Sequence, residues 1–204
     1  ASLIFVPAIV FFGGYFGQVS IGKRTLLSLF QSVTTRTAGF NTADLSSMTE
    51  VGQAIMILLM LMGGSPSSTA GGMKTTTVAV LLLNAFATFR SREDAGAFGR
   101  RFDSQVIKNA ATIAMLYFVL FFFGGITISV YEGLSLQLCL YEAASAVGTV
   151  GLTLGITPGL HILSRLILIV LMYLGRVGGL TLIYAVVSRR NTNAKMPLEK
   201  ITVG

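Results

Sequence analysis

The pentapeptide Thr37-Ala38-Gly39-Phe40-Asn41 recurs 112 residues later as Thr149-Val150-Gly151-Leu152-Thr153. At the same offset Leu59-Met60-Leu61-Met62-Gly63 falls opposite Leu171-Met172-Tyr173-Leu174-Gly175. The chain therefore reads as two versions of one unit. Each version sets its Thr-x-Gly loop between a short apolar segment and a further apolar run. Glycine reaches backbone angles that β-branched residues resist, so such a loop can turn successive carbonyls inward to replace the water shell of a bare cation. One Thr-x-Gly carries no information, but two at one offset in one context are specific. The competing reading is a pair of re-entrant turns in a duplicated carrier, with no ion column.

Composition excludes an ordinary soluble domain. The chain is 53% hydrophobic and 11% charged, where soluble domains carry about 25% charged residues, and residues 110–130 form an uninterrupted apolar run. The net charge of +7 does not point to nucleic acid. Nine of the fifteen Lys and Arg lie in residues 90–108 and 189–200, directly after apolar segments. That positive-inside pattern puts both regions in the cytoplasm, although Lys23, Arg24 and Arg36 run against it. Cys139 is alone, so there is no disulfide framework and no cysteine metal site; it reads as a packing residue. With His161 as the single histidine, neither a catalytic triad nor a histidine metal site can be assembled, and the chain is not read as an enzyme. Gly72-Met73-Lys74-Thr75 lacks the Gly-Lys adjacency and the preceding strand of a phosphate loop. The chain opens on the apolar Ala1 without a basic leader, as a fragment beginning inside a membrane helix would.

Residues 2–19 are predicted as such a shortened helix and 22–24 as a polar break. A short helix follows over 25–35, then the first filter-like loop, then a polar stretch in which Asp44 or Ser47 can cap the next helix. That helix, 51–62, covers roughly 18 Å at 1.5 Å per residue and cannot span a hydrocarbon core of about 30 Å. Residues 63–77 then bring four glycines, one proline and seven Ser/Thr, before an apolar pattern resumes at 78–89. An irregular loop at membrane depth survives only where protein or a watery cavity satisfies its backbone. The second unit is more regular: a helix over 107–130, a break at 131–133, a short segment over 134–147, the second loop, and a span over 162–187. The units divide as 1–89 and 107–188, with a linker at 90–106 and a tail at 189–204.

Several charged residues keep two readings. Arg176 lies inside the last span, where a charge costs about 2.5–3.5 kcal/mol on the insertion scale. It faces a cavity as a barrier cation, pairs with carbonyls of the irregular loop, or does both. Lys74 either snorkels to the cytoplasmic edge or takes a gating role, while Arg165 is expected to anchor the outer interface and His161 to be interfacial. Glu142 either biases cations electrostatically or bonds loop amides. Phe121, Phe122 and Phe123 read as lipid-facing or packing surface.

Three segments resemble one family. Ser32-Val33-Thr34-Thr35-Arg36-Thr37-Ala38-Gly39-Phe40-Asn41 looks like the third filter of the Trk/Ktr/HKT potassium transporter superfamily. Residues 62–75, Met-Gly-Gly-Ser-Pro-Ser-Ser-Thr-Ala-Gly-Gly-Met-Lys-Thr, look like its intramembrane gating loop. Leu174-Gly175-Arg176-Val177-Gly178-Gly179-Leu180-Thr181 resembles its fourth pore-facing helix. The chain is thus similar to the C-terminal half of such a transporter, closest to membrane subunits of the KtrB type. The resemblance implies an all-α integral membrane fold of two helix–pore-helix–filter–helix units, half of a four-repeat pore. It implies ion sites at Thr37, Ala38, Gly39 and Phe40, and at Thr149, Val150, Gly151 and Leu152. It implies a gate at Gly63, Gly64, Ser65, Ser67, Ser68, Thr69, Gly71, Gly72, Lys74 and Arg176. Phe40-Asn41 and Leu152-Thr153 stand where a strict potassium filter has Tyr-Gly, so the outer sites are less defined. K+ would be the substrate, with Na+ as an activator to be tested and no covalent cofactor. Implied partners are the N-terminal half of the same pore, a second copy in a homodimer, the bilayer of the cell membrane, and a cytoplasmic nucleotide-binding ring of the KtrA type, but not nucleic acid. A secondary transporter with a midplane site and a non-conducting membrane scaffold remain the alternatives.

Overall fold

The computed structural model describes residues 21–42, 45–66, 68–91, 95–97 and 100–177. The expected helix over 2–19, Asp44, Ser67, Gly178-Gly179-Leu180-Thr181, the remainder of the last span and the tail 189–204 lie outside the described residues. The described helices are α1 (Ile21–Thr34), α2 (Glu50–Leu61), α3 (Thr75–Phe89), α4 (Ser104–Glu132), α5 (Leu136–Val147) and α6 (Ile162–Val177). Two two-residue strands, β1 (Gly96–Ala97) and β2 (Arg100–Arg101), pair antiparallel in the linker and are the departure from an all-helical chain among the described residues.

The helix starts differ from expectation, and in each case a polar first turn is the reason. Gly22 and Lys23 do not break the chain but open α1, with Thr25 Oγ1 donating to Gly22 O at 2.8 Å. The cap of α2 is Thr49, whose Oγ1 accepts from Gly52 N at 3.2 Å, while Ser47 closes a separate 3-10 turn. Helix α3 resumes at Thr75 rather than at residue 78, because the three threonines form its first turn, where poor helix propensity costs little. Helix α4 begins three residues before residue 107, capped by Asp103 accepting from Gln105 N at 3.2 Å. It ends where Gly133 turns left-handed (φ 67°) and donates to Ser129 O.

At 29 residues, α4 is long and apolar enough to cross a membrane. Helices α2 and α5, at 12 residues each, are not. Helix α5 is the centre of the fold. It packs against α2, α4 and α6, and every residue from Tyr141 to Val147 is buried. Its Ala143-Ala144-Ser145-Ala146 run lets neighbouring backbones approach closely. Gly175 of α6 lies so near the end of α5 that an added Cβ would overlap the Val147 carbonyl oxygen.

Helix α1 is inside out. Ser28, Gln31, Ser32, Thr34 and Thr35 are buried, while Leu26 (68% exposed), Leu29, Phe30 and Val33 face outward. On α4, Phe121 is buried at 4% while Phe122 and Phe123 are exposed at 47% and 73%, so the three phenylalanines divide between packing and surface. Outward apolar faces over buried polar ones suit a medium poorer in water than an aqueous surface.

Adding a methyl at the α5–α6 crossing is expected to destabilise. Gly175→Ala should lower stability by about 1–3 kcal/mol, read as a fall in Tm in detergent. Gly159→Ala, with nothing within 4 Å of its Cβ, is expected to leave Tm in place.

Candidate functional site

Both Thr-x-Gly loops leave the C-terminal end of a short helix. After α1, the amides of Ala38 and Gly39 both donate to Thr34 O at 3.2 Å. After α5, Thr149 N donates to Ala146 O, Val150 N to Ser145 O at 2.9 Å, and Gly151 N to Ser145 Oγ at 3.1 Å. The amides are thus committed to the scaffold. Among the described residues, no donor meets the carbonyls of residues 37–39 or 149–151. A helix C-terminus carries roughly half a negative charge, so each loop begins at a site that favours cations.

The backbone alternates in hand at matching positions. Thr37 (φ 64°) and Gly39 (φ 70°) are left-handed, as are Thr149 (φ 52°) and Gly151 (φ 93°); Ala38 and Val150 between them are not. Alternation of this kind turns successive peptide planes to the same side. A left-handed threonine is uncommon and costs of order 1–3 kcal/mol, so the surrounding structure must impose it twice. The buried hydroxyls Thr37 Oγ1 and Thr149 Oγ1 both lack a hydrogen-bond partner. Two unpartnered hydroxyls at equivalent places, beside two sets of free carbonyls, make an oxygen-only donor set suited to a hard cation. The loops also meet, since a Cβ on Gly39 would collide with the Val150 carbonyl oxygen.

The outer ends of the loops are held differently. Phe40 turns its carbonyl back to accept from Thr34 Oγ1 at 2.7 Å, and its ring is 70% exposed. Leu152 is buried. Behind the second loop lies a cavity of about 400 Å³ that Glu142, Thr153 and Thr157 help to line. Glu142 itself is buried at 4%. It accepts from Thr153 Oγ1, from Leu154 N at 3.1 Å and from Thr157 Oγ1 at 2.8 Å. Glu142 therefore bonds the loop, the second of its two sequence readings.

Beneath the loops, residues 62–74 join α2 to α3. Their ends are stitched in parallel: Gly63 N donates to Met73 O at 2.7 Å, Met73 N to Leu61 O and Thr75 N to Gly64 O. Lys74 does not snorkel. Its Nζ folds back to donate to Ser68 O (3.0 Å) and Ala70 O (2.6 Å), because a loop of free carbonyls offers it acceptors nearer than water. Gly71 abuts Thr149, whose side chain would occupy the place of any Cβ there. Arg176, with Ser68, Thr69, Ala70, Gly72 and Lys74, lines a cavity of about 320 Å³ on the other side of this loop. Ser65 is exposed. Arg165 donates to Pro158 O at 2.7 Å, and His161 packs edge-on against Tyr131 with its N–H on Glu132.

Arg36 belongs to the site, although the sequence marks it only as part of the filter-like segment and as an exception to the charge pattern, with no role of its own. Its Nη1 donates to Met62 O (3.0 Å) and Gly63 O (2.9 Å), at the start of the irregular loop. The signal was available: a broken helix needs donors for its final carbonyls, and Arg36 is the cation nearest the first filter.

The family described as TrkH, cation transport protein, matches residues 1–194. The chain is 34% identical over 191 residues to Ktr system potassium uptake protein B of Bacillus subtilis, covering 94% of this chain and 43% of that protein. It is 37% identical over 189 residues to potassium/sodium uptake protein NtpJ of Enterococcus hirae, covering 89% and 42%. The crystal structure of the potassium transporter TrkH from Vibrio parahaemolyticus has the same fold, with a TM-score of 0.71 at 21% identity over 91% of this chain and 43% of that one. The chain thus spans less than half the length of these relatives.

Removing the Glu142 clamp is expected to loosen the second loop. Glu142→Leu leaves three donors without their acceptor and should cost roughly 3 kcal/mol or more, measured by thermal unfolding. Glu142→Gln keeps one acceptor oxygen and should cost about 1 kcal/mol.

Proposed function

Because the chain belongs to the TrkH family of cation transport proteins, we propose that it forms part of an integral membrane pore for K+. One observation carries the reading. The left-handed positions Thr37/Gly39 and Thr149/Gly151, with the amides of Ala38, Gly39, Thr149, Val150 and Gly151 tied back to helix ends, leave paired carbonyls and threonine hydroxyls free at one place. Dehydrated K+ is a cation that such oxygens can serve. The ion sites are Thr37, Ala38, Gly39, Thr149, Val150 and Gly151. Phe40 and Leu152 make the outer sites looser, since the Phe40 carbonyl already accepts from Thr34. Loose outer sites are in keeping with a relative named for both potassium and sodium uptake. Na+ as a co-ion or activator is part of the reading.

The gate in this reading is the loop over residues 62–74 with Arg176 below it. The abutment of Gly71 on Thr149 supports it, because a loop in that position closes the inner end of a filter. The loop stays shut by its own hydrogen bonds, and Arg176 adds electrostatic repulsion in the cavity beneath. Two units supply two quadrants of a fourfold filter, and the rest of the same polypeptide supplies the others. A homodimer in the cell membrane, with linker 90–106 and the C-terminus in the cytoplasm, would meet a nucleotide-binding regulatory ring through those basic segments.

Flux through the full-length polypeptide in proteoliposomes tests the filter. Gly39→Ser should block or reshape the column and change the K+/Na+ ratio roughly tenfold, and Gly151→Ser should change it too, because its φ of 93° strains any side chain even where the space around it is open. A carrier would change apparent affinity with the ratio intact, and a scaffold would change neither. Deleting residues 65–70 should raise K+ flux; unchanged or lower flux sinks the gate.

A further inference from the structure

We infer that Arg36 is a positioning residue that latches the gate loop to the first filter, an inference that rests on the gate reading above. Arg36 immediately precedes the left-handed Thr37, and its own N–H is held by Val33 O at 3.0 Å. Its guanidinium reaches across 26 and 27 positions of sequence to the carbonyls of Met62 and Gly63. Those two oxygens sit where α2 ends and the loop begins. Of the preceding carbonyls, Leu58 O accepts from Met62 N and Leu61 O from Met73 N. Arg36 thus supplies the donor for the two carbonyls that follow the end of a helix that stops short inside the fold.

Two properties of this contact matter. Arginine is always charged, and its planar fork holds donors in fixed directions, so the loop stem is fixed in place relative to the filter. The charge also offsets the partial negative end of α2, which would otherwise hold a cation below the filter. At its far side the same loop abuts Thr149 of the second filter. Lys74 ties Ser68 to Ala70, so the loop moves as one body about its stem. Swinging that body away from Thr149 loads the two Arg36 bonds. Loss of the latch therefore favours the open loop without altering the carbonyls that choose the ion.

The test uses the full-length polypeptide carrying Arg36→Gln, Arg36→Lys, the 65–70 deletion, and Arg36→Gln combined with the deletion. Arg36→Gln should raise K+ flux roughly tenfold with the K+/Na+ ratio unchanged, and Arg36→Lys should fall between it and the parent. Added to the deletion, Arg36→Gln should give no further rise. If the deletion raises flux and Arg36→Gln does not, the latch is wrong and the gate stands. If the deletion leaves flux unchanged, gate and latch both fall. A changed K+/Na+ ratio also overturns the latch, since Arg36 would then act on the filter. Should Arg36→Gln not fold, thiol labelling of Ser68→Cys in the Arg36→Lys background decides. Each rate is read as the increment over the same polypeptide with Ser68 intact, and Cys139 of this chain is fully buried. Labelling several-fold faster than in the Arg36 parent supports the latch, and an equal rate overturns it.

Discussion

Helix α2 stops after 12 residues in the middle of a fold with little water around it, and the ending of that helix governs what surrounds it. A helix end leaves carbonyls without partners, and in an apolar medium each one must be answered by protein. Here the answer comes from two directions: Met73 N on Leu61 O, within the parallel stitch, and Arg36 on Met62 O and Gly63 O. The stitch closes the loop over residues 62–74, and the arginine ties that closed loop to the first Thr-x-Gly turn. The loop is thereby placed where Gly71 can touch Thr149.

The repeated units solve one problem with different parts. Both send a short helix into a loop whose amides point back and whose carbonyls are left free. The outer end of the first loop is braced by a hydroxyl, Thr34 Oγ1 on the Phe40 carbonyl. The second is braced by a buried carboxylate with three donors and by Ser145. The difference follows from burial. Helix α5 is enclosed by α2, α4 and α6, so a charge on it must be fully paired. Helix α1 keeps its apolar side outward, and its Thr34 hydroxyl holds the loop that follows it.

Much of this was legible from residue order. The break between α2 and α3 follows from apolar segments too short to span and from the cluster of glycine, proline and serine between them. The equivalence of Thr37 and Thr149 follows from a common offset. The caps were not legible: Thr49 rather than Ser47 starts α2, and Thr75 to Thr77 are helical, because several polar residues within one turn can serve equally well. Of the two readings of Lys74, snorkelling fails because nearby loop carbonyls outcompete water for its ammonium. For Arg36 the sequence signals the need for a donor at the broken helix but not which cation meets it, because the partners lie 26 and 27 residues away.

By itself the sequence determined the membrane-type composition, the duplication, the two glycine-bearing turns and the place where a helix must break. Each of these depends on the kind and spacing of neighbouring residues, and those are local. Only the tertiary structure decided which oxygens are free and which are taken, because that depends on donors arriving from elsewhere. Thr34 occupies the carbonyl of Phe40, Glu142 holds Thr153, Leu154 and Thr157, Lys74 closes the loop on itself, and Arg36 joins the loop to the filter. The same Thr-x-Gly words are therefore written twice in the chain, and long-range hydrogen bonding makes them two different turns.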